Sequence, residues 1–119
     1  MKNRGRPLTG FRPSVDPMEK TQIDFSVIIT AFNEAGIIGI VLQRLLDRLE
    51  GMAETSEVVV VSDGSSDGTV AEVQKLGERV RLIEHPYNMG NGSGIKTGVR
   101  NARGEILIFM DADGQHDPQ

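Results

Sequence analysis

The chemistry of this chain concentrates where an apolar run, Ile106 to Met110, leads into Asp111-Ala112-Asp113 and then Gly114, Gln115 and His116. A strand places residues i and i+2 on one face, so Asp111 and Asp113 can converge on one divalent cation, with the strand end leaving that ion open to a ligand. Gln115 offers a neutral oxygen two residues further on, or is a plain loop amide. His116 stands beside the same place as a further contact. An all-oxygen set suits Mg²⁺ or Mn²⁺ better than zinc, and an ion so placed would neutralise a diphosphate.

Two other segments have the composition of ligand loops. Asp63-Gly64-Ser65-Ser66-Asp67-Gly68-Thr69 is a tight turn with helix-capping residues, and its carboxylates could equally accept hydrogen bonds from a base or a ribose. Asn88 to Thr97 resembles two phosphate motifs and satisfies neither: Ile95 stands where the dinucleotide pattern needs its third glycine, and it separates Gly94 from the Lys96 that a P-loop requires. Flexible glycines before a helix carrying Lys96 and Arg100 still favour phosphate through the helix dipole. His85, next to Pro86 at a strand exit, reads as structural.

Alternating elements must position these segments. Phe25–Thr30 is a β-branched, apolar strand, followed by a helix in which Ile38, Val41, Leu42, Leu45, Leu46 and Leu49 recur at spacings of three and four. Asn33 is available as its cap, and Gly51 lies past its end. Val58–Val61 is a second strand, and Thr69 with Glu72 resembles a capping box opening a short helix to about Leu76. Val80–Ile83 makes a third strand, Gly94–Ala102 a third helix and Ile106–Met110 a fourth strand; no internal repeat interrupts the pattern. Crossover helices return each strand in the same direction, so the expected fold is α/β: an open, mainly parallel, Rossmann-like sheet in three α/β/α layers. The polar clusters at Asn33/Glu34, Asp63/Asp67 and Asp111/Asp113 each follow the carboxyl end of a strand, the edge where open α/β sheets bind ligands.

Composition bounds the function. The chain has 119 residues, 38% hydrophobic and 25% charged, which suits one domain. A net charge of −4 with no basic face past the first twenty or so residues argues against nucleic acid as partner. The absence of cysteine excludes disulfides and thiolate metal sites. Residues 1–22 mix Arg, Lys, Gly and Pro with few apolar residues and are expected to be a disordered tail. Lys2, Arg4, Arg6 and Arg12 within it are either solvated or meet anionic lipid. No apolar run is long enough to cross a bilayer.

Taken in order, the segments SVIITAFNE, VVVSDGSSDGT, NxGNGxGIKTG and MDADGQHDP resemble the inverting family 2 glycosyltransferases of GT-A fold, within them the polyprenyl-phosphate sugar transferases of the dolichol-phosphate mannosyltransferase type. The resemblance covers Phe25 to Gln119. It implies transfer of a sugar from a GDP- or UDP-sugar to a dolichyl or undecaprenyl phosphate, with Mg²⁺ or Mn²⁺, in the cytoplasm or at the cytoplasmic face of the membrane. Carried over residue by residue, it implies that Thr30, Phe32 and Glu34 line the nucleoside site, that Val61 and Asp63 contact the base, and that Asp111, Ala112 and Asp113 hold nucleotide and metal. Lys96 joins the donor site through its helix, and the metal ligands implied are Asp111, Asp113 and Gln115.

Four positions depart from the family pattern. Thr30 stands where Pro is usual, Phe32 where Tyr is, Ser62 at the first Asp and Asn91 at a common Lys. Family catalytic domains also continue well beyond this length, so residues 23–119 are expected to be the donor-binding half of a domain, with an acceptor half and a transmembrane part lying elsewhere. The alternative is a nucleotide- and metal-binding remnant without catalysis. A nucleotidyltransferase of related architecture would need a Gly-rich signature and a Lys after the first strand, where Ala31-Phe32-Asn33-Glu34 stands instead.

Overall fold

A computed structural model of the chain describes residues 22–112. Residues 1–21 of the expected tail, Asp113, Gln115 and His116 lie outside them. Four strands, β1 (Ile23–Ala31), β2 (Ser56–Asp63), β3 (Arg81–His85) and β4 (Gly104–Asp111), alternate with helices α1 (Ile38–Glu50), α2 (Thr69–Gln74) and α3 (Asn91–Asn101). The sheet order is β3-β2-β1-β4 and every pairing is parallel, as the crossover argument requires.

Residues Val27, Ile28 and Ile29 of β1 and Val58 to Val61 of β2 are at most 2% exposed, because helices cover both faces of the two central strands. One face presents Phe25, Val27, Ile29, Val58 and Val60 to Ile38, Leu42 and Leu46 of α1 and Val73 of α2, forming the main core. The opposite face carries α3. It approaches so closely that a methyl group on Gly98 would lie 2.4 Å from the Ile28 Cγ2 and one on Gly94 would lie 2.9 Å from the Thr30 Cγ2.

At the amino edge of the sheet Glu57 ties four segments together. It accepts from Ser26 Oγ at 2.7 Å, Arg81 Nη1 at 2.7 Å and the Arg103 amide at 2.6 Å, and Ser26 Oγ in turn accepts from the Gly104 amide at 2.8 Å. Burial opposes the charge on Glu57, yet the bonds from Arg103, Ser26 and Arg81 hold its carboxyl below the ordinary value. The entry into β4 is thereby fixed against β1.

Three helix starts differ from expectation. Helix α1 begins at Ile38 with Ile37 as its cap position, because Asn33, at φ 53°, spends its side-chain oxygen on the Ser66 amide, 2.9 Å away. The Thr69–Glu72 capping box does not form. Thr69 is the first residue of α2; its hydroxyl donates to Asp67 and accepts from the Glu34 amide, while Glu72 pairs with Lys75. Helix α3 starts at Asn91 rather than at Gly94, so Gly92 lies inside it rather than in a flexible lead-in.

Candidate functional site

The loops after β1 and β2 are built as one unit. Ser65 Oγ accepts from the Asn33 amide at 3.1 Å, Thr69 Oγ1 from the Glu34 amide at 2.8 Å and Asp67 Oδ2 from the Ala35 amide at 3.3 Å. The Ser and Thr of the 63–69 segment therefore act first as struts that hold the backbone of the β1–α1 loop. Asp67 also accepts from the Thr69 hydroxyl and amide, and the hydroxyl bond in particular lowers its pKa. Ser62, at the place of the usual Asp, is 1% exposed and bonds to Ser65 Oγ at 2.9 Å.

A third loop is held by Asp63. Its Oδ1 receives His85 Nδ1 and the Met89 amide, each at 2.8 Å, and its Oδ2 receives the Gly90 amide at 2.8 Å. An ionised carboxylate only accepts, so His85 Nδ1 carries the proton, and Nε2 on the far side of the ring shares a hydrogen bond with Thr97 Oγ1 at 2.7 Å. Burial opposes the charge on Asp63, but the bonds from His85, Met89 and Gly90 hold its carboxyl below the ordinary value. Gly64 completes the joint: it has φ +74°, and a methyl group there would lie 2.3 Å from the Tyr87 backbone.

Between these loops, at the carboxyl edge of the sheet, lies a crevice of about 410 Å³, large enough for a small ligand. Strand β1 and its loop contribute Thr30, Ala31, Phe32 and Glu34; β2 contributes Asp63; the β3–α3 loop contributes Asn88, Gly90 and Asn91; β4 contributes Asp111 and Ala112. Asp111 pairs in register with Thr30, which sets the first residue of the Asp-x-Asp segment beside the floor of the crevice. Phe32 is 43% exposed at its wall.

Six of the expected donor-site residues thus share one crevice: Thr30, Phe32, Glu34, Asp63, Asp111 and Ala112. Val61 and Lys96 do not line it. Val61 is fully buried beneath Gly94, and Lys96 is exposed on α3. Among the described residues no group of three or more His, Cys, Asp or Glu side chains is close enough to hold a metal, and the expected ligands Asp113 and Gln115 fall outside them. The oxygen of Asp111 at the crevice nevertheless has the hard-donor chemistry that Mg²⁺ or Mn²⁺ takes. Sequence reasoning missed Ala31 at the end of β1 and, in the β3–α3 loop, Asn88, Gly90 and Asn91 as lining residues. The Gly-rich segment was the signal, but tests against phosphate motifs do not reveal which side chains a long-range anchor such as Asp63 turns inward.

No helix among the described residues is long and apolar enough to cross a membrane. The Glycosyl transferase family 2 profile matches residues 26–119. The chain is 38% identical to a dolichyl-phosphate beta-glucosyltransferase of Drosophila melanogaster, over 86% of this chain and 34% of the relative. It is also 38% identical to the dolichol-phosphate mannosyltransferase of Saccharomyces cerevisiae, over 82% of this chain and 38% of that protein. Among solved structures, the mannosyltransferase PcManGT from Pyrobaculum calidifontis in complex with GDP-Man and Mn²⁺ superposes with a TM-score of 0.63 at 31% identity, over 77% of this chain and 28% of that one. The chain spans about a third of the length of these curated relatives. With a parallel α/β sheet of the GT-A kind, carboxyl-edge loops gathered around one crevice and a family match across nearly all of its described residues, the chain belongs to glycosyl transferase family 2.

Proposed function

We propose that this chain supplies the donor half of an inverting glycosyltransferase that moves a sugar from a GDP- or UDP-sugar to a polyprenyl phosphate at the cytoplasmic face of a membrane. The observation that carries the reading is the convergence of Thr30, Phe32, Glu34 and Asp111 on one crevice from strands distant in sequence. Phe32 offers an apolar face to the nucleoside, and Glu34 offers acceptors for ribose hydroxyls. Asp111, with Asp113 and Gln115, would hold Mg²⁺ or Mn²⁺, which when bound supplies charge neutralisation for a departing diphosphate.

In the transfer, a phosphate oxygen of the acceptor attacks the anomeric carbon as the bond from that carbon to the diphosphate breaks, with inversion. A polyprenyl phosphate is already anionic, so the attack needs no strong general base. Val61, Asp63 and Lys96 remain proposals for the donor site; of these, Asp63 is the one at the crevice. The names of the polyprenyl-linked relatives support the acceptor class, and the GDP-Man and Mn²⁺ complex of the structural neighbour supports the donor and metal classes. A second reading of the same crevice is nucleotide and metal binding without turnover.

Calorimetric titration of the chain with UDP, GDP and their sugar conjugates, with and without Mn²⁺, tests the donor site. Metal-dependent binding of one nucleotide is expected, and Asp111→Ala and Asp113→Ala should each abolish it with the circular dichroism spectrum unchanged. Binding that survives both substitutions would overturn the assignment. Sugar release onto a short polyprenyl phosphate separates turnover from binding alone.

A further inference from the structure

Two of the departures from the family pattern touch each other. Thr30 Oγ1 donates to Asn91 Oδ1 at 2.6 Å, joining the end of β1 to the start of α3 across the crevice. A carboxamide has one acceptor end and one donor end. With its oxygen held by Thr30, the side chain of Asn91 has a fixed orientation, and among the described residues its Nδ2 group meets no acceptor. Asn91 lines the crevice, so this donor is available to a ligand there.

The topology says which part of a ligand it meets. Asp111, the carboxylate expected to carry the metal and diphosphate, ends β4 at one side of the crevice. Helix α3 lies over β1 and β2 on the other side, as the approach of Gly94 to Thr30 and Val61 shows. For a nucleoside diphosphate anchored at Asp111, the rest of the crevice, lined from β1, β2 and Asn91, is what is left for its base. We infer that the Thr30–Asn91 pair determines base specificity: Thr30 orients the amide, and Asn91 Nδ2 donates to a ring carbonyl, selecting a keto-bearing base such as uracil or guanine over adenine. Asn91 is then the contact and Thr30 the positioning residue. This rests on the donor-binding reading above.

The experiment is calorimetry on the 119-residue chain with Mn²⁺, using UDP, GDP, ADP and inorganic diphosphate as probes. Asn91→Leu removes the amide at similar volume, and Thr30→Val removes only the hydroxyl at a strand position that favours β-branched residues. The parent should bind UDP or GDP more tightly than ADP. Asn91→Leu should weaken the preferred nucleotide about tenfold and leave inorganic diphosphate unchanged, while Thr30→Val should weaken it about threefold and Thr30→Ser restore it. If Asn91→Leu fails to fold, the Val and Ser pair at position 30 decides alone. Parent-like affinity in both variants, or an equal loss for inorganic diphosphate, would overturn this inference and leave the donor site standing. Failure of the parent to bind any nucleotide would overturn both.

Discussion

Asp63 shows how one residue can be legible as important while part of its role stays hidden in the sequence. Read alone, a carboxylate at a strand end invites a ligand. In the fold it accepts three bonds from its own chain, out of about four that a carboxylate can take, and so fixes the loop that brings Asn88 to Asn91 to the crevice. The pH dependence follows from the direction of its pKa. A carboxyl held below its ordinary value contributes stability that is fully present above about pH 4 and is lost as pH falls through the folded-state value. Asp63→Asn sets an amide donor against the donors of Met89, Gly90 or His85. It should cost about 1 to 3 kcal/mol at neutral pH, and the gap from the parent should narrow below about pH 4. Urea midpoints measured across that range check it. A gap that stays constant with pH would show that the charge of Asp63 contributes nothing. Glu57 keeps its own acid sensitivity in the variant, so the parent's acid limb is reduced rather than abolished.

Among the elements, the strands were legible and the helix starts were not, for a physical reason. Val58 to Val61 can only be a strand buried on both faces, because short β-branched runs bounded by turns carry their own signal. The start of a helix depends on which partner captures a capping side chain. Asn33 and Thr69 both have capping chemistry, and both are captured by the neighbouring loop across the sheet edge. The glycines of α3 follow the same logic. The sequence places Gly94 and Gly98 in a helix without saying why they are glycines, whereas in the fold they let the helix seat against Thr30 and Ile28. Magnitudes then predict opposite signs for one substitution at two places. Gly→Ala in a helix gains up to about 1 kcal/mol of propensity. At Gly92, where a methyl group meets nothing within 4 Å, that gain should appear as a raised melting temperature. At Gly98 the new methyl lies 2.4 Å from Ile28 Cγ2, and overpacking of about 1 to 3 kcal/mol should outweigh the gain. Thermal melts of Gly92→Ala and Gly98→Ala that shift the same way would show that α3 does not depend on close approach.

For the whole molecule, the decisive feature is β4. Its register with β1 places Ile106 and Ile108 on the face of α1 and α2, and Phe109 on the face of α3. These side chains are 63%, 41% and 50% exposed, and among the described residues nothing pairs with the outer edge of the strand. Apolar residues on both faces are the composition of an interior strand, so β4 combines an interior sequence with an edge position. Natural edge strands are blunted by charge, proline or bulges, and β4 has none of these between Ile106 and Met110. The strand also delivers Asp111 to the crevice, which couples the state of this edge to the site. The 119-residue chain should therefore self-associate through β4 as concentration rises, and Ile108→Lys should suppress association by placing a charge on the exposed strand. Sedimentation velocity over a concentration series checks both statements. If the two proteins associate alike, the edge is not the contact. If the parent associates and Ile108→Lys does not, nucleotide binding by the variant measures whether the crevice forms in a single copy, since Ile108 points away from Asp111 and its substitution leaves every crevice residue in place.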